Sequence, residues 1–298
     1  MMALMLILLQ MSGDPSLGHQ NQYPLFRKWM TSVPHPIGQE TGVGWRVTQR
    51  YTAMNFMDSG PGWRYDLDME ISQWVADVSL RRGSVEWMLS MPVGMQWGGF
   101  MDPFLNRYHA ELGLPNYNRD NQPPNRHAFE FGDADGAFWT DRAGVWVAGA
   151  PVVSAHRHGR FPITLSAKLP MFDSNTWDVG VETRFEVGAT PSSGAFGRVG
   201  GIWRQRGDAA PFNVVRSTPT VSLGYWTRPA ALTFVAEIST YPSLFERTQL
   251  PKLEKQSIEL VLGGHIPTRW GRLTLSFSED LSYLAPDFTI GVRFNPEL

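Results

Sequence analysis

Residues Arg64–Ser72 read RYDLDMEIS, and two chemistries alternate along them without a break. Tyr65, Leu67, Met69 and Ile71 are apolar, whereas Asp66, Asp68, Glu70 and Ser72 are polar. Period two puts successive side chains on opposite faces of a β-strand, so this ribbon has an oily face and an acidic one. The fold turns on which face is inside.

The same beat recurs almost to the C-terminus, with Gly, Pro, Asn and Asp clusters between the runs. Strands are expected near 43–56, 64–77, 84–95, 144–155, 161–169, 177–187, 195–206, 218–227, 232–239, 256–262, 273–277 and 287–294. About twelve such strands, an even number, run one after another. Three observations turn the oily face outward. Runs of about ten residues suit a tilted crossing of a bilayer. Connections alternate in length: RRGS, HRHG, TPSSG, TRPAA and PTRWG are tight, while Gly98–Asp141 is long, the pattern of outer-membrane barrels. Bulky rings such as Trp45, Phe161, Trp177, Trp203, Tyr225 and Phe294 sit near strand ends, where membrane interfaces favour them. Volume agrees, because about eight strands is the most that side chains alone can fill. The expected fold is therefore all-β: an antiparallel transmembrane β-barrel of about twelve strands. On this reading Tyr65, Leu67, Met69 and Ile71 face lipid, and Asp66, Asp68 and Glu70 face a wet lumen.

Composition narrows the class further. Charged residues make up only 18% of the 298, and the net charge of −2 supplies no field for nucleic acid. With no cysteine, disulfides and thiolate chemistry are out. The apolar run Met1–Leu9 is too short to span a bilayer, and no later run approaches the length of a transmembrane helix. Residues 1–20 read as a clipped or atypical export signal, or else a disordered N-terminus. Residues 21–42 are expected as a periplasmic N-terminal segment and 43–298 as the barrel.

Three stretches carry a resemblance. SYLAPDFTIGVRF, Ser282–Phe294, is similar to the closing strand by which outer-membrane barrels are recognised for assembly, although Asn295–Leu298 follow its final aromatic. GGFMDPFLNRYHAELGLPNYNRDNQPPNR, Gly98–Arg126, resembles the long loop of a family of uncharacterised Gram-negative outer-membrane proteins, known by a domain-of-unknown-function label. NQYPLFRKW, Asn21–Trp29, fits the same family, so the resemblance covers nearly the whole chain. It implies an outer-membrane location, with membrane lipid as surroundings and the barrel-assembly machinery as a partner during biogenesis. It implies no activity, substrate or catalytic residue.

The long loop should hold a short helix, with Asp102 as N-cap, Pro103 as first helical residue and Gly113 as stop. Phe104, Leu105, Tyr108 and Leu112 would share its apolar face. The helix either plugs the barrel mouth structurally or forms a constriction with Phe104, Tyr108, His109, Glu111, Arg119 and Asp120. Lumen-lining cations are expected at Arg46, Arg50, Lys168, Arg184, Arg198 and Arg293. The matching anions are Asp66, Asp68, Glu70, Glu86, Asp178, Glu182, Glu186, Glu237 and Glu259. A mixed-sign ladder either lines a weakly selective pore or pairs with itself and closes the bore.

Other chemistry is thin. Asp133 and Asp135 in GDADG lack the later ligands of a calcium loop, and His156 and His158 sit in a turn with no third ligand nearby. No Gly-x-Ser-x-Gly elbow or phosphate loop occurs. An enzyme and a cofactor are not expected. The leading expectation is passive passage of small polar solutes gated by the Gly98–Asp141 loop. The alternatives are a self-plugged structural or adaptor barrel and a lipid-modifying barrel enzyme.

Overall fold

The computed structural model describes residues 14–23, 28–38, 41–60, 63–113, 119–133, 136–146, 151–159, 161–172, 175–205, 213–248, 250, 252–282 and 285–296. Twelve wall strands form one closed antiparallel ring. They are β1 (Gly42–Gly60), β2 (Trp63–Arg82), β3 (Val85–Trp97), β4 (Val152–Arg157), β5 (Ile163–Lys168) and β6 (Asp178–Val187). The others are β7 (Ser193–Arg204), β8 (Ser217–Thr227), β9 (Thr233–Tyr241), β10 (Ser257–Thr268), β11 (Gly271–Asp280) and β12 (Phe288–Pro296). Each strand pairs with the next, and β12 returns to β1 with Phe294 opposite Val47 and Phe288 opposite Ala53. No edge is left in the ring, which is what a sheet in hydrocarbon requires. Among the described residues, no helix is long and apolar enough to cross a membrane.

Around most of the ring the orientation is as expected. Trp87, Leu165 and Leu223 are 54–57% exposed, while their strand neighbours Glu86, Lys168 and Ser222 are buried. Ile163 and Val292 face outward and Lys168 faces inward. Oily side chains therefore cover the wall at membrane level.

The opening stretch is the exception. Phe56 lies opposite Leu67, Met54 opposite Met69, and Arg46 opposite Asp77; directly paired residues share a face. Tyr65, Leu67, Met69 and Ile71 therefore point inward with Arg46 and Arg50, and Asp66, Asp68 and Glu70 point outward. This corrects the assignment made from alternation alone. The physical reason is length. β1 and β2 have 19 and 20 residues, about 65 Å at about 3.3 Å each, and a crossing takes about ten. Their upper halves stand above the bilayer, where charge belongs outside. The polarity of β2 inverts between Ile71 and Trp74, which marks the membrane boundary.

Above that boundary the inward side chains build an apolar crown. A loop hairpin, Ala128–Asp133 with Gly136–Thr140, extends the sheet alongside β2. Tyr65 stacks between Phe56 (5.4 Å) and Phe131 (5.2 Å). Tyr23, Trp29, Phe129, Phe245 and Leu253 belong to the same cluster. Each fully buried large apolar side chain contributes about 1.5–3 kcal/mol, so the crown is a real, if small, core.

Helix α1 (Asp102–Leu112) ends at Gly113 with φ 69°, as expected; its N-cap is Met101 rather than Asp102. The Asp102 carboxylate instead accepts from the Asn125 amide. Leu105 packs on Ala53 and Phe288, which face outward by register. The loop thus folds down over the outside of the wall. Its approach depends on Gly99, whose φ of 79° and contact with Glu70 leave no room for a side chain.

Candidate functional site

The lumen is occupied by the chain's own N-terminal segment. Residues 21–42 were expected on the periplasmic side; among those described, 21–23 and 28–37 reach into or line the barrel interior. The path is readable from contacts. Pro15 meets His265 near the tight-turn end, and Tyr23 meets Phe56 at the loop end, ring centroids 6.4 Å apart. Gly38 returns to Glu86, beside the β2–β3 turn. The segment therefore rises through the barrel and comes back.

Residues 14–23 and 30–37 form no helix or strand, so each non-proline residue brings a backbone donor and acceptor that burial leaves in need of a partner. Carboxylates of the wall take the amides: Leu17 N donates to Glu237 (3.3 Å), Met30 N to Asp178 (2.7 Å) and Ile37 N to Glu86 (2.8 Å). Cations of the wall donate to the carbonyls. Arg50 reaches Gly18 O (3.2 Å), Arg293 reaches Ser16 O (3.2 Å), Arg46 reaches His35 O (2.9 Å) and Lys168 reaches Lys28 O (2.6 Å). A peptide chain carries both polarities, and so does the wall that receives it. That is a physical reason for mixed signs in this lumen.

The densest knot surrounds Arg198 on β7. It donates to Glu237, to His35 Nε2 and to Ser222 Oγ (3.0 Å), and lies 3.6 Å from Glu182. Since Nε2 of His35 accepts, the ring proton sits on Nδ1, 2.7 Å from Ser16 Oγ and 3.1 Å from Asp14. Burial, then the Arg198 charge, pushes the His35 pKa down to about 4, so the ring is neutral at pH 7. Burial works against the Asp14 carboxylate, but His35 and Arg184 together hold it well below the usual range. Arg184 lies 3.1 Å from Asp14 and 3.4 Å from Glu186.

Of the expected lumen residues, Arg46, Arg50, Glu86, Lys168, Asp178, Glu182, Arg184, Glu186, Arg198, Glu237, Glu259 and Arg293 face inward by register. Alternation missed Asp77, which binds Arg46 at 2.7 Å, and Arg204, which donates to Met30 O at 2.9 Å. It also missed His19, paired with Glu259, because the N-terminal segment has no periodicity to read.

The three outward acids have a different task. Arg126 binds Asp66 at 2.6 Å and Asp68 at 3.2 Å, and Glu70 accepts from the Phe100 amide at 2.7 Å. They moor the long loop to the outer wall. The six residues expected at a constriction therefore do not meet in the lumen. Arg119 is buried between Asp102 (3.4 Å) and Asp287, and His109 lies 3.8 Å from Glu279. Tyr108 reaches Glu279, Phe104 and Glu111 are exposed, and the side chain of Asp120 falls outside the described residues.

Voids beside the segment measure about 70 Å³, near Gly18, Arg46 and Arg293, and about 40 Å³, near Asp14 and Arg184. Both exceed the roughly 10–15 Å³ that a water molecule needs, and neither is a continuous path. Among the described residues no three His, Asp or Glu side chains are grouped to hold a metal ion. His156 instead pairs with Thr164 and His158 with Glu86; Asp135 lies outside the described residues.

A family model described as "Protein of unknown function (DUF3187)" matches residues 45–295. No curated protein matches the chain. Among solved structures, the COG4313 outer membrane channel from Pseudomonas putida F1 is similar with a TM-score of 0.54 and 10% identity. That match covers 87% of this chain and 96% of that one. A FadL homologue of Pseudomonas aeruginosa has a TM-score of 0.45 and 7% identity, covering 95% and 93%. At such identity the likeness of the first concerns the fold. The closed ring and its oily belt place the protein in the bacterial outer membrane.

Proposed function

The chain belongs to the DUF3187 family, whose function is unknown, and for it we propose a channel for small polar solutes whose closed state is held by its own N-terminal segment. One observation carries this reading. The segment is bound to the lumen through side-chain contacts to its backbone, without joining the sheet. Removing it would leave a polar bore with charges of both signs, suited to water and small polar molecules. The gate is then the segment within the barrel, and the Gly98–Asp141 loop is a clamp on the outside.

A closed structural barrel has one specific observation in its favour. The crown of Tyr65, Phe131, Trp29 and Phe245 covers the loop end with apolar side chains. A reversible lock separates the two. Asn21 Nδ2 donates to Ser257 Oγ at 2.9 Å, and the chain has no native cysteine to interfere. In planar bilayers the Asn21→Cys/Ser257→Cys pair should be silent when oxidised and show channel openings when reduced. Equal conductance in both states would remove the segment as the gate. Silence in both, with the unsubstituted chain also silent, would favour the closed barrel.

A further inference from the structure

Helix α1 carries an apolar stripe that, among the described residues, meets the wall only at Tyr108. Leu105 and His109 turn inward to the wall and are buried. Beside them Phe104, Tyr108 and Leu112 recur every four residues along one side of the helix. Phe104 and Leu112 are 53% and 59% exposed, and Phe100 just before the helix is 63% exposed. Those values match the lipid-facing Trp74 and Trp87 at 54% and 56%.

Contacts fix the direction of the stripe. β11 runs from the tight-turn end toward the loop end, so Phe277 lies nearer the bilayer than Glu279. The Tyr108 ring sits 6.5 Å from Phe277, and its hydroxyl donates to Glu279 at 3.4 Å. Phe104 stacks on Tyr108 at 6.1 Å. Phe100 lies 5.8 Å from Tyr51, which is below Ala53 on β1 and touches Trp97. The exposed rings therefore hang on the membrane side of the helix, continuous with the upper edge of the oily belt. Ala110, also exposed, lies on the opposite side of the helix.

We propose that Phe100 and α1 form a lipid foot, with Phe100, Phe104 and Leu112 set into the boundary between acyl chains and headgroups of the outer leaflet. A helix lying in that plane buries its apolar side by about 5–10 Å, and aromatic rings favour the same level. In water the same side chains would be a contiguous exposed patch. The wall and the leaflet then hold α1 from two sides, and this does not depend on whether the lumen conducts.

Spin labels test it in the full chain, reconstituted in palmitoyl-oleoyl phosphatidylcholine vesicles. Labels at Phe104→Cys and Leu112→Cys should collide with oxygen in preference to a water-soluble nickel chelate, with a ratio roughly threefold above that at Ala110→Cys. Two exposed positions guard against one variant failing to fold. Equal chelate access at all three positions would overturn the proposal. So would dipolar broadening at position 104 that vanishes on dilution with unlabelled chain, since a second copy would then cover the stripe.

Discussion

Replacing Arg198 with alanine should cost about 3–5 kcal/mol, the range for removing one partner of a buried ion pair, and should loosen the N-terminal segment. Arg198 is 4% exposed and Glu237 1%, so water does little to screen the charge left behind. Glu237 would keep Ser222 and the Leu17 amide as donors but lose its counter-charge. His35 would lose the donor to Nε2 that fixes its tautomer. Urea titration in vesicles reads the loss, and the doubly substituted Arg198→Ala/Glu237→Ala chain supplies the control. With no carboxylate stranded at position 237, it should recover part of the stability. Single and double variants of equal stability would mean that the pair is not the fastening described.

Arg119→Ala should detach the long loop from the outer wall. Arg119 is 3% exposed and ties Asp102, at the start of α1, to Asp287, before β12. Asp287 also accepts from the Asn55 amide at 2.8 Å, so it cannot simply swing into water. Without the guanidinium two buried carboxylates face each other, and the same range of about 3–5 kcal/mol applies. The loss falls on the loop, because the wall strands keep their ladders. Limited trypsin digestion should cut at Arg107 and Arg126 far sooner in the variant. Arg119→Lys keeps one charge but not the fork that serves two acids, so its digestion should fall between. Cleavage at the unsubstituted rate in Arg119→Ala would refute the clamp.

Much of the wall was legible because period two survives wherever one face meets lipid. ITLSAK in β5 and FTIGVRF in β12 show it plainly. The fourth strand, expected over 144–155 where both faces are apolar, instead enters the wall only over Val152–Arg157, and Gly144–Trp146 is a separate short strand on β3. Alternation defines two faces but does not say which is inside. For Leu67 and Asp68 the majority rule points the wrong way, since that half of β2 stands above the bilayer. A sign was present: apolar residues occupy odd positions through Ile71, and the large outward ones, Trp74, Val78 and Leu80, occupy even positions. Such a slip in phase marks a bulge or an inversion of polarity, and here it is an inversion.

The occupant of the lumen was not legible. Residues 14–38 have no periodicity, and amides that fasten them to the wall, those of Leu17, Met30 and Ile37, find carboxylates 49 to 220 positions away on strands whose register was unknown. Inward placement of Arg46 or Glu237 could be read from parity; the backbone groups they bind could not. Helix α1 was legible as a helix because Pro103 and Gly113 punctuate it. Its docking face was not, because Ala53 and Phe288 meet Leu105 only after the ring has closed.

A single cysteine at Ser239 offers the most direct test that the lumen is filled from the N-terminus. Ser239 faces inward on β9, is 2% exposed, and lies between Glu237, which binds Leu17, and Tyr241, which reaches His19. In vesicles a membrane-impermeant thiol reagent should modify Ser239→Cys slowly in the full chain. With residues 14–38 deleted the rate should rise roughly a hundredfold, as expected when a buried group no longer waits for an opening event. Rapid modification at the same rate in both chains would show that the bore is open while the segment is present.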